Sequence, residues 1–117
     1  MITRQATPQA GGLFTVPSGG VAAATHWLRF PTAACPVSRN PVFGVIRIRY
    51  APEDRVVEVV ALHGWVSQFV KPAPGNPRNV EGVAARMATD LHDALGVAVE
   101  VDLWLLVRPW QILHVRA

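Results

Sequence analysis

Proline decides most of what this chain can become. A proline has no backbone N–H to give and holds φ at about −65°, so it is kept out of helix interiors and central strands. The ten prolines are clustered. Pro31, Pro36 and Pro41 bound the segment PTAACPVSRNP, Pro72, Pro74 and Pro77 fill KPAPGNPRN, and Pro109 interrupts the last stretch. Between them lie uninterrupted runs at 21–30, 42–50, 55–70, 80–95, 97–107 and 110–116, and the hydrophobic period of each decides between strand and helix.

The run 21–30 alternates as a strand that stops at Pro31. In VFGVIRIRY the alternation is clearest: Val42, Gly44, Ile46, Ile48 and Tyr50 share one face, and Phe43, Val45, Arg47 and Arg49 the other. After the turn APED at 51–54, the run Arg55–Val70 reads as a long third strand with Gly64 at a bulge, closing a long hairpin. From Val80 the spacing changes. Val80, Val83, Ala84, Met87, Leu91, Ala94 and Leu95 form one apolar stripe of a helix over 80–95, with Asn79 as N-cap and Gly96 as the stop. Two strands follow, 97–107 and 110–116. Residues 1–20, with four glycines and two prolines, read as a loose arm, and 21–117 as one domain.

The order β-β-β-α-β-β predicts an α+β fold, an antiparallel sheet with one main helix on one face. Half of the residues are hydrophobic and 16% are charged. Trp65, Trp104, Leu106, Trp110 and Ile112 exceed what one helix covers, so the composition predicts a homo-oligomer. No run of about 18 apolar residues predicts a membrane span, and the N-terminus has no secretory pattern. A lone cysteine fits a reducing compartment, so the expected location is cytoplasmic. The net charge is +3, and ten arginines scattered along the chain make no basic stripe, so no nucleic-acid partner is expected.

Cys35 lies in the proline-stiffened loop, near Arg39, where a thiolate is chemically useful only if a cation or backbone N–H groups lower its pKa. Glu81 sits in the first helical turn, where a carboxylate complements the macrodipole. His26, His63, His92 and His114 show no metal-site spacing, so no metal is expected. The four tryptophans read as core or interface packing.

The segment ACPVSRNPVFGVIRIRY resembles the CP-T-x-QPDFxxxxxxY segment of the cyano-deazaguanine nitrile reductases of queuosine biosynthesis. The resemblance extends over residues 33–117, through Glu58 in the place of the family's E-S-K-S-x-K motif and Glu81 at a helix start. It implies the tunnelling fold shared with GTP cyclohydrolase, subunits assembled into an oligomeric β-barrel, and a site at subunit interfaces for a purine-, pterin- or deazapurine-like ring. On matched positions, Cys35 is the nucleophile that adds to a nitrile carbon to give a thioimide, and Glu81 anchors the heterocycle's N–H groups, a bidentate contact suited to a carboxylate. Glu58 and Arg108, the latter near the family's TPRGG arginine, are further ligand contacts. His63, on the strand whose family counterpart lines the pocket, is the replacement acid or base.

The family's acid and histidine fall at Val42 and Val80, which cannot titrate, and its two cofactor lysines at Val60 and His63. NADPH is implied by the resemblance, but its motif is not kept, and no GxGxxG replaces it. The substitutions point to a non-reductive outcome. The alternative reading is an inactive ligand-binding or scaffold protein of the same fold.

Overall fold

The computed structural model describes residues 6–30, 43–69, 80–108 and 111–117. Its strands are β1 (Thr7–Pro8), β2 (Phe14–Pro17), β3 (Ala24–Phe30), β4 (Phe43–Tyr50), β5 (Arg55–Val57), β6 (Val99–Arg108) and β7 (Gln111–Arg116); its α-helices are α1 (Val59–Ser67) and α2 (Val80–Leu95). The fold is α+β. Four strands form an antiparallel sheet in the order β3-β4-β6-β7, and a three-stranded antiparallel sheet has the order β1-β2-β5. Neither sheet closes into a barrel, so β3 and β7 are edge strands among the described residues.

Alternation sets the larger sheet's register. Ile46 and Ile48 of β4 stand opposite Leu103 and Val101 of β6, all four fully buried, while the intervening Val45, Arg47 and Arg49 face the other way. A one-residue slip would expose every one of these aliphatic side chains, each worth about 1.5–3 kcal/mol when buried. The stripe of α2 that lies in the core is Val83, Ala84, Met87 and Leu91. The helix bounds match the sequence expectation, and Gly96 ends it at φ 72°, a left-handed turn that disfavours a side chain.

The long third strand is corrected. Only Arg55–Val57 are extended; Val59–Ser67 form α1, and β5 pairs with β2 and not with β4. Two features favour the helix over its valine-rich propensity. The Glu58 carboxylate accepts from the N–H groups of Val60 at 3.2 Å and Ala61 at 2.7 Å. Leu62, Trp65, Val66 and Phe69 then recur at helical spacing, and all are buried. Trp65, expected to add to the sheet's bare face, is instead 2% exposed and meets Phe69 edge to face at 5.1 Å. Gly64 is a helix residue with open space around it, not a bulge. Two helices, not one main helix, therefore separate the sheet's two halves in sequence.

Residues 6–17, which composition reads as loose, are built into the fold. Leu13 is 1% exposed in the core, and Thr15 on the middle strand β2 is buried. Arg55 holds that strand by donating through Nε to Thr15 Oγ1 at 3.1 Å and through Nη2 to Thr7 Oγ1 at 2.8 Å. No helix among the described residues is long and apolar enough to cross a membrane.

Candidate functional site

Topology places the predicted residues at two ends of the larger sheet. At one end, β3 finishes at Phe30 and β4 begins at Phe43, with Phe30 beside Gly44. Cys35, between them, lies outside the described residues. β6 ends and β7 begins at this end too, with Arg108 in register with Gln111. Three residues join α2 to β6 at the opposite end. The helix, sixteen residues or about 24 Å long, therefore runs back along β6 and carries its first turn toward the Phe43 end. Glu81 is exposed in that turn. The flanks of Cys35 and the backbone of Arg108 thus share one sheet end, and α2 carries Glu81 toward it.

Glu58 and His63 belong to the other group. Tyr50 closes β4 about 23 Å from Phe43, at 3.3 Å per residue, and its Oη accepts the Val57 N–H at 2.9 Å. Glu58 follows directly. Sequence reading expected it on a strand; the structure makes it the N-cap of α1, buried, with both carboxylate oxygens on backbone N–H groups. His63 is on α1 rather than on a strand, and is exposed.

At this same end the Tyr50 hydroxyl, which accepts from Val57, also shares a hydrogen bond with His26 Nε2 at 3.1 Å. Burial keeps both partners neutral: it lowers the His26 pKa and raises that of Tyr50. An open basin of about 630 Å³ adjoins them, lined by alanines 23, 24, 51 and 98 and by Arg49, Glu100 and Arg116.

A third cluster was missed in sequence. It occupies the sheet face away from the helices, where Arg47, Asp102 and Arg116 form one cross-strand row and Val45, Trp104 and His114 the next. Asp102 is fully buried, though it lies on this open face. Arg47 Nη2 donates to its Oδ2 at 2.8 Å, while Arg116 Nε at 2.8 Å and His114 Nε2 at 2.7 Å donate to Oδ1. Burial opposes the charge on Asp102, but the hydrogen bonds from Arg116, Arg47 and His114 outweigh it and hold the carboxyl well below the usual carboxylate range. Arg49 pairs with Glu100.

Above this ionic layer the rings stack. Trp27 lies 5.8 Å from Trp104, and Trp104 lies 4.8 Å from His114, with interplanar angles of 17° and 6°. The Arg47 guanidinium sits 5.5 Å from the Trp27 ring centre and 5.2 Å from that of Trp104, within cation–π range. The available signal was the period-two placement of Glu100, Asp102 and Trp104 along one strand, matching Arg47 and Arg49 on another.

No group of three metal-ligating side chains occurs among the described residues. Compared with known proteins, the chain matches no protein-family model and no curated protein.

Proposed function

We propose that this chain is a tunnelling-fold subunit that assembles with copies of itself and takes a flat nitrogen heterocycle, of purine, pterin or deazapurine type, at the sheet end where Glu81 lies. Glu81 is the anchor for the ring's N–H groups and Cys35 the nucleophile. What supports this reading is that Phe30 and Phe43, which flank Cys35, lie at the end of a four-stranded antiparallel sheet opposite the α2–β6 connection, the end toward which α2 runs from that connection. The two open edges, β3 and β7, support assembly, because unpaired N–H and C=O groups invite another strand.

The step itself is an addition. The thiolate forms a C–S bond to the nitrile carbon, one C≡N π bond breaks, and the nitrogen takes a proton, giving a thioimide with no group lost. Reduction beyond it would need NADPH, whose lysine motif this sequence does not keep. Attack on the thioimide carbon by ammonia or water, with the C–S bond breaking and the Cys35 thiolate leaving, gives an amidine or an amide and needs no reductant.

The test is intact mass spectrometry of the native protein with a cyano-substituted deazapurine at neutral pH. An adduct equal to the whole heterocycle, absent in Cys35→Ser and weakened at least about tenfold in Glu81→Gln, is expected. A Cys35 that stays unmodified by both this compound and iodoacetamide would sink the nucleophile. Retained ligand binding in that case would leave a binding module of the same fold.

A further inference from the structure

The arginines that look scattered in sequence come together in space. Arg47, Arg49 and Arg116 occupy the face of the larger sheet that the helices leave bare, and alternation along β3 adds Trp27 and Arg29. With Glu100 and Asp102 as its acids, this face is cationic by two charges, most of the chain's +3. It also carries apolar surface: Trp27 is 61% exposed, and Leu106 and Ile112 are exposed on the same face toward the Phe43 end.

The shape of the aromatic cluster matters. Trp27, Trp104 and His114 form a ladder of near-parallel rings contributed by β3, β6 and β7, with successive ring centres 5.8 and 4.8 Å apart. Trp104 is the middle rung, so Trp27 and His114 each have one ring face turned away from the stack. Arg47 is committed to the ladder and to Asp102, whereas Arg116 and Arg49, paired with Asp102 and Glu100, stay half exposed. Exposed Arg29 lies at the β3 edge, and Arg49 and Arg116 toward the Tyr50 end.

From this arrangement we infer that the bare sheet face binds single-stranded nucleic acid, bases continuing the Trp27–Trp104–His114 ladder and phosphates meeting Arg29, Arg49 and Arg116. Aromatic rings interleaved with arginines on an open antiparallel sheet serve this chemistry, because every base has a π-face and guanidinium groups follow a phosphate chain without reading sequence. Charge chooses among occupants. A second copy packed face to face would bring two cationic surfaces together, and a lipid bilayer would press hydrocarbon against the Asp102–Glu100 ionic row. This inference does not rest on the heterocycle site, which lies at a sheet end.

The experiment is fluorescence anisotropy of a labelled 15-residue oligothymidylate with the full chain, across a salt series. Three exposed arginines predict a slope of log affinity on log salt of about −2 for a single strand. Binding should quench tryptophan emission. Trp27→Ala should weaken binding about tenfold, and Arg29→Ala, an independent variant on the same exposed edge, should reduce the slope by about 0.7. Circular dichroism checks that both variants fold. Absence of binding at low salt, equal binding of a 15-base-pair duplex, indifference to Trp27→Ala, or preference for phosphatidylserine vesicles over the oligonucleotide would each overturn the assignment.

Discussion

Asp102 is withdrawn from water on the side of a sheet that no helix covers, and its three donors do the covering. Removing such a carboxylate leaves guanidinium groups without their acceptor, and Arg47 already has a buried Nε with no hydrogen-bond partner. Arg116 is half exposed and regains water, so the loss is below that of a fully enclosed pair. Asp102→Asn should destabilise the protein by about 2 kcal/mol at neutral pH in urea unfolding. The sign of its pH dependence is fixed by the depressed folded pKa. In the unfolded chain the group titrates near about 3.9; its stabilisation is complete above that value and is lost as pH falls through the lower folded pKa. Parent and variant stabilities should therefore converge in acid. A variant matching the parent at pH 7 would show that the row is held by ring stacking alone.

At the level of elements, α1 depends on a cap that is easy to overlook. Glu58 is the last residue before a stretch of valines, and a reader weighing β-branched propensity continues the strand. The stripe Leu62, Trp65, Val66, Phe69 was present in the sequence at spacings of three and four, but it spans only about two helical turns. Burial overrode propensity. By contrast β4 and α2 were fully legible, since each has a strict period, seven or more residues, and a proline or glycine near its boundary. Glu58→Ala should cost about 1 kcal/mol by thermal or chemical denaturation, and Glu58→Gln less, because the amide oxygen still accepts. If both variants unfold as the parent does, the cap is dispensable and α1 is held by packing.

For the whole molecule, composition foretold surface left over after folding, on the sheet face that the helix does not cover. The bare face was anticipated. Its ionic centre was not, because the pairing of Arg47 with Asp102 spans 55 residues and follows from strand register, which no local pattern encodes. The candidate site was legible as far as the order of its elements: Glu81 fell in the helical turn expected of it, whereas Glu58 and His63 moved from strand to helix. The open edges carry a prediction of their own. Native mass spectrometry at low micromolar concentration should show a multimer of the 12.7 kDa chain, and a strictly monomeric spectrum would remove edge pairing as the mode of assembly.

Leu13 and Thr15 bear on how this protein is handled. A shortened version starting near residue 21, the natural choice for anyone trimming a glycine-rich leader, would strip β5 of its neighbour and unroof the hollow that Trp65 and Leu62 share with Leu13. Such a product would expose greasy surface beside a frayed strand. Poor yield from it would be a defect of the cut, not a property of the domain.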